Sequence, residues 1–258
     1  MNGAQAIEHA IRNRPRQGEP ALVAYLTAGF PARERFLDDL AAVCAAADVV
    51  EIGVPFTDPM ADGVTIQRAS HEALRAGVTL PWILEQLASR PQGGPPILLM
   101  SYLNPLLALG PRLPERSAAA RVSGFIVPDL PYEECGPLLE ALATQGLALT
   151  QMVTPVTPVQ RLELLCEAAR GFVYAVTMTG TTGRHVAVPD DVLEYLQRVR
   201  SVASRPVCAG FGIRSREQVI RLRGHVDGVV VGSALVEVLE RGGDPVRFLD
   251  SLRQGAAA

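Results

Sequence analysis

Eight times along its 258 residues this chain repeats one pattern: a short apolar, β-branched run, a loop rich in Gly, Pro and Asp, then apolar residues at helical spacing. The runs lie at residues 21–27, 48–54, 95–102, 124–131 (its last part a loop), 147–153, 171–177, 205–210 and 227–233. They read as continuous apolar stretches rather than alternating ones, as expected of parallel strands covered by helices on the outside. Helical spacing follows over 33–47, 65–76, 80–89, 133–145, 158–169, 190–203, 216–223, 234–240 and 245–254. Between the third and fourth runs a Pro-interrupted, Ala-rich stretch extends to about residue 123.

An alternation of this count and length predicts an α/β chain folded as a (β/α)8 TIM barrel, one domain over residues 1–258. The IxxAI spacing near the start adds an amphipathic N-terminal helix. A doubly wound open sheet competes, but no GxGxxG follows the first run, and polar loops follow nearly every run. No apolar run reaches the roughly 18–20 residues of a membrane span, and the N-terminus lacks the apolar core of a secretion signal. A cytoplasmic protein is expected. Cys44, Cys135, Cys166 and Cys208 stand in no metal or redox spacing and predict reduced, buried thiols. A net charge of −3 with scattered arginines leaves no footprint for nucleic acid or an anionic membrane.

The basic residues narrow the chemistry further. All 24 are Arg, and the chain contains no Lys. A Schiff-base lysine is therefore excluded, and with it lysine-dependent aldolases and enzymes that carry pyridoxal phosphate on their own lysine. So is a P-loop NTPase, whose lysine holds the phosphates.

In a barrel of this kind the chemistry collects at the strand C-terminal ends, which gathers Glu51, Asp58, Asp62, Tyr102, Asp129, Tyr174, Thr182, Gly212 and Ser233 around one mouth. Glu51 sits inside the apolar run DVVEIGV, where a carboxylate needs a partner or keeps its proton. Asp62 lies eleven residues on, in a loop able to fold back over it. That pair suits proton transfer in both directions; a buried ion pair between Glu51 and an Arg is the structural alternative. Asp58, before Pro59, reads as a turn former, Asp129 as a loop residue, and His185 as a solvated one. Tyr102 either packs the barrel or borders a substrate.

Gly-bearing loops end the last three strands, at 180–183, 210–212 and 232–233. The loops after the seventh and eighth strands are the usual phosphate cradle of this fold. Without lysine, backbone amides and the Ser233 hydroxyl have to hold the anion. Tyr25, Met100, Ile126, Met152 and Phe211 lie at or near strand ends, as barrel filling or as a bed for a flat aromatic substrate.

Segments spread over nearly the full length resemble a known family: AYLTAGFP, VVEIGVPFTDPMADG, YLNP, GFIVPDLP, TGTTG, CAGFGI and DGVVVGSALV. They are similar to the α subunit of tryptophan synthase. The resemblance implies retro-aldol cleavage of indole-3-glycerol phosphate to indole and glyceraldehyde 3-phosphate, without metal or Schiff base. It implies no cofactor in this chain, and pyridoxal phosphate only in a β-subunit partner within an α2β2 heterotetramer.

By the same resemblance Glu51 protonates the indole at C3 and takes the glycerol hydroxyl proton, Asp62 handles the indole N–H, and Tyr174 assists beside Glu51. Thr182 bonds Asp62 on loop closure, and Gly183, Gly212, Gly232 and Ser233 meet the phosphate. Tyr25, Met100, Tyr102, Ile126 and Phe211 complete the substrate contacts. The chain departs from the family at Val64, where Pro usually follows ADG, and over residues 110–123, about one residue short. That stretch and the loop at 55–59 belong to the face that docks the β subunit. A freestanding lyase that releases indole, and a weakly catalytic activator of a β-type partner, are the alternatives.

Overall fold

The computed structural model describes residues 1–13, 18–177, 188–210 and 212–253. Its strands are β1 (Ala21–Thr27), β2 (Val49–Gly53), β3 (Ile97–Met100), β4 (Gly124–Ile126), β5 (Ala148–Val153), β6 (Val173–Val176), β7 (Val207–Gly210) and β8 (Gly228–Val231). Each pairs in parallel with the next, and β8 returns to β1, closing the barrel.

The helices wrap around this sheet. They are α1 (Gly3–Arg12), α2 (Phe36–Ala46), α3 (Val64–Arg75), α4 (Leu80–Ser89), α5 (Leu103–Leu109), α6 (Leu113–Ala119), α7 (Gly136–Ala143), α8 (Val159–Ala168), α9 (Asp190–Val202), α10 (Arg216–Leu222), α11 (Ser233–Glu240) and α12 (Pro245–Arg253). None of the described helices is long and apolar enough to cross a membrane.

Two buried shells explain why the strands read as unbroken apolar runs. Residues of one parity, such as Leu22, Ala24, Leu26, Val50 and Ile52, face outward and pack under the helices. The other parity, including Val23, Tyr25, Leu98, Ile126, Phe172, Tyr174 and Val230, fills the barrel. All seven residues of β1 are buried. The period-2 alternation persists, but both faces are apolar.

The N-terminal helix closes the barrel bottom. An Asn2–Gln5 capping box starts α1, and Ile7 and Ile11 are its buried residues. Both join the barrel-filling cluster, so the helix serves as a plug. Arg205 ties it down through Glu8 at 2.9 Å.

Differences from the sequence reading are local. The fourth run ends as a strand at Ile126, because Pro128 has no N–H for the ladder. The Ala-rich stretch is two short helices, α5 and α6, joined by a 3-10 turn over Gly110–Arg112. Similar turns at Arg33–Arg35 and Tyr132–Glu134 precede α2 and α7, each shortly after a proline. Cys135, Cys166 and Cys208 are buried and Cys44 is half-buried, and none of the four is in a disulfide.

Candidate active site

The strand register builds the site. Glu51 on β2 lies opposite Tyr25 on β1, and with Val49 inside the barrel the alternation turns Glu51 inward too. Its side chain is 1% exposed. After Gly53 the chain leaves the sheet and returns to bury Asp62 over the same mouth, 5% exposed. Gly53 is required for this approach: a Cβ there would lie 2.0 Å from the Tyr25 hydroxyl. Tyr174 on β6 sits over Gly210 in the same way, its hydroxyl 2.4 Å from where a Cβ would be.

The returning loop is held by Tyr102. Its hydroxyl accepts a hydrogen bond from the Ala61 N–H at 2.9 Å and donates to Asp62 Oδ2 at 3.2 Å. Its ring stacks on Phe56, with centroids 5.0 Å apart. Gln67 donates to the Asp62 carbonyl at 2.8 Å. Among the described residues, Glu51 Oε2 and Asp62 Oδ1 are buried without a hydrogen-bond partner. No described Arg pairs with Glu51, so the ion-pair alternative is set aside.

Burial pushes Glu51 up to about 8, and the nearby Asp62 carboxylate adds to the shift. Burial raises Asp62 only to about 6, because the Tyr102 hydroxyl stabilises its ionised form. At neutral pH the first therefore holds a proton and the second is mostly charged. Two carboxyl groups with pKa values pushed apart can act as donor and acceptor at once. Tyr25, Tyr102 and Tyr174 are all raised by burial and stay protonated; the Asp62 charge adds to all three, and the Glu51 charge to Tyr25 and Tyr174.

Across the mouth the material changes from side chain to backbone. Gly212, after β7, has φ 83° and its carbonyl accepts from Gln218 at 3.0 Å. The Gln218 carboxamide oxygen in turn accepts from the N–H of Arg214 and Ser215, at 2.8 and 3.1 Å. Gly232 caps α11, and Ser233 is its first residue. The first N–H groups of a helix have no acceptor within it, and its dipole favours an anion there. The nearest cation in this loop, Arg214, is committed to Glu237.

The barrel thus brings Glu51, Asp62, Tyr25, Tyr102 and Tyr174 to one mouth. Tyr25, Met100, Ile126 and Tyr174 share one buried cluster, with Met152 packed against it. Thr182, Gly183 and Phe211, with His185, lie outside the described residues. Asp58 is exposed and bonded by Thr57 at 2.5 Å. Asp129 accepts from the Leu103 N–H at 2.9 Å, a loop-fixing role.

Phe56, Gln67 and Gln218 were missed by sequence reasoning. Of these only Gln218 had a local signal, the Ser215-x-x-Gln218 capping box that starts α10. Two cavities, of about 590 and 410 Å³, lie away from the acids. The larger is beneath α1 at the strand N-terminal ends, beside His9, Asp48, Arg90 and Arg121. In this fold that face serves stability and the opposite one chemistry, so the buried acids locate the site and cavity size does not.

Known proteins match this arrangement along most of the chain. Residues 11–253 fit the family model described as tryptophan synthase alpha chain. A tryptophan synthase alpha chain from Solidesulfovibrio magneticus is 46% identical over 235 residues, 90% of this chain and 92% of that one. One from Bacillus cereus is 43% identical over 246 residues, 92% of each. Among solved structures, an aminoacrylate-bound tryptophan synthase from M. tuberculosis superposes with a TM-score of 0.85 at 32% identity over 98% of each chain. The tryptophan synthase a2b2 complex of Pyrococcus furiosus gives 0.84 at 34% identity, over 92% of this chain and 98% of that one.

Proposed function

The chain belongs to the tryptophan synthase alpha chain family, and on that footing we propose that it cleaves indole-3-glycerol phosphate to indole and D-glyceraldehyde 3-phosphate. It does so as the α subunit of a tryptophan synthase, in L-tryptophan biosynthesis, beside a β subunit in an α2β2 assembly. The observation that carries the site assignment is the pair of buried acids: Glu51 and Asp62 at one mouth, each with an oxygen that has no partner among the described residues.

The reaction moves one proton and one electron pair. Glu51, protonated at neutral pH, gives its proton to indole C3 while Asp62 accepts the proton of the indole N–H. The ring is now an electron sink. The hydroxyl on the carbon attached to C3 returns a proton to Glu51 as the carbon–carbon bond breaks, leaving an aldehyde on the glycerol fragment. The bond's electrons return to the ring, and Asp62 gives the nitrogen its proton back. In sum the hydroxyl proton has moved to C3; the C=N bond that accepts the electrons is the ring's own, so no imine to an enzyme lysine is needed, which suits a chain without lysine.

Tyr174 lines the Glu51 side, and the apolar wall of Tyr25, Met100 and Ile126 receives the indole, with Tyr102 at its rim. Gly212, Gly232 and Ser233, with Thr182, Gly183 and Phe211, complete the phosphate end and the lid. We assign the whole chain to one domain, to the cytoplasm, and to no cofactor of its own. Met60 and Leu107, 92% and 63% exposed, place apolar surface on the loop after β2 and on α5, which suits docking of a β subunit.

Incubating the purified chain with indole-3-glycerol phosphate should release indole and the triose phosphate in equal amounts, faster with a β subunit present. Asp62→Asn should lower turnover by about 10²–10⁴-fold, as removal of a positioned acid–base group does, with its melting temperature retained. Near-normal turnover by that variant would sink the mechanism. A wild-type rate that is high alone and indifferent to β subunit would favour a freestanding lyase.

A further inference from the structure

We propose that Tyr102 is a positioning residue, whose hydroxyl fixes the loop after β2 so that Asp62 presents its free oxygen to the substrate. The inference rests on the reading of Asp62 as a working acid–base group. A phenol hydroxyl has one proton to donate and lone pairs to accept with. Here the proton goes to Asp62 Oδ2 and an acceptor position is filled by the Ala61 N–H. Those two partners are consecutive, so one atom holds both the peptide that enters Ala61 and the carboxylate of the residue after it. Oδ1 is then the oxygen left over, buried and unpartnered among the described residues.

The same side chain grips the loop at its other end, through the stacked ring of Phe56. Between these two grips Thr57, Asp58 and Met60 are exposed, and the hydrogen bonds at the middle of the loop are its own, from the Met60 and Asp62 N–H groups to the Asp58 and Pro59 carbonyls.

Tyr102 is itself anchored to the barrel. It stands two residues past the end of β3, caps the start of α5, and is 5% exposed. Its carbonyl accepts from the Ser101 hydroxyl at 2.9 Å, and the next N–H, of Leu103, is held by Asp129. A rigid strand end thus supports a catalytic group carried on a loop.

This clamp also has an electrostatic consequence. The groups facing Asp62 are Glu51 from β2, Tyr25 from β1, Tyr102 from the end of β3 and Tyr174 from β6. Of these the Tyr102 hydroxyl is the one that favours the ionised carboxylate by direct hydrogen bonding.

Tyr102→Phe keeps the ring and its stack and removes both hydrogen bonds. In the full-length chain it is expected to lower kcat roughly 10–100-fold, the scale of one hydrogen bond to a charged group. KM for indole-3-glycerol phosphate should stay within about twofold, as both hydrogen bonds of the hydroxyl go to the loop and the ring at the rim of the indole wall is kept. The acid limb of the pH–rate profile, where Asp62 ionises, should move to higher pH. A ¹³C-carboxyl NMR titration of Asp62 should show the same upward movement without any turnover.

A raised KM with kcat kept would overturn the proposal and make Tyr102 a substrate contact; so would an Asp62 titration that does not move. If Tyr102→Phe does not fold, Phe56→Leu removes only the second grip. It should lower kcat a few-fold with KM unchanged, and an unchanged kcat overturns the proposal. Should Asp62→Asn retain turnover, the acid–base reading fails by itself, while the NMR titration still reports whether Tyr102 positions that carboxylate.

Discussion

The two halves of the barrel mouth are made of different material. On the side of β1, β2, β3 and β6, buried side chains do the work: Glu51, Asp62 and three tyrosines, with carboxyl groups moved far from their ordinary behaviour. On the side of β7 and β8 the site is mostly backbone, with Gly212 at φ 83° and the first turn of α11 behind Gly232. The first half is costly to fold, since it desolvates two acids and leaves an oxygen on each without a partner among the described residues. The second costs little, because the N–H groups that open a helix lack an internal acceptor in any case. Proton transfer needs tunable pKa values, which only side chains have. Holding a phosphate needs a fixed positive field, which backbone supplies without lysine.

If that division is right, mutations in the first half act on kcat and those in the second on KM. Glu51→Gln is the strongest way to break it. The variant should lose about 10²–10⁴-fold in kcat with KM little changed. It should also expose the cost of the first half. Glu51 titrates near 4.5 when unperturbed and near 8 in the fold, so over that window the native state holds a proton that the unfolded chain has released. Its contribution to stability is intact below about 4.5, declines as pH rises to about 8, and is constant above. Thermal melts of wild type and Glu51→Gln should therefore diverge in the variant's favour from pH 5 to pH 8, by an amount of order a few kcal/mol. A difference that does not vary with pH would show that Glu51 is not protonated in the fold.

Gly212→Ala tests the other half. Placing a Cβ at a positive φ strains the backbone by roughly 1–2 kcal/mol and pulls the loop away from the anion. KM should rise about tenfold with kcat retained. A fall in kcat at constant KM would mean that the two halves are not separable.

What could be read in advance follows the same division. The barrel was legible because two apolar shells leave every strand as an unbroken run, and the helices between show their own period. Glu51 was legible because a carboxylate within such a run is out of place. Asp62 was visible as a loop acid able to fold back over Glu51 and share in proton transfer, but its part at the indole N–H came from resemblance alone. The Tyr102 clamp was not legible: Ala61 and Tyr102 meet only because β2 and β3 are neighbours in register, with Gly53 opposite Met100. Strand ends were overdrawn for a related reason. Apolar residues continue past the last ladder bond, as at Val127, which is buried yet outside β4.

Ser233→Ala is the smallest perturbation and the most selective. The hydroxyl is one contact among several backbone donors, and a single neutral hydrogen bond is worth about 1 kcal/mol net, or roughly fivefold in affinity. KM should rise by about that factor, while kcat and the pH profile stay with the wild type, because neither acid is touched. Dephosphorylated indole-glycerol sharpens the comparison, since it presents the indole to the acid half and nothing to the anion half. With that substrate Ser233→Ala and wild type should be indistinguishable, whereas Glu51→Gln should remain as impaired as before. A Ser233→Ala defect that survives loss of the phosphate would place the hydroxyl among the groups that organise the acids, and the line between the two halves would then run on the other side of β8.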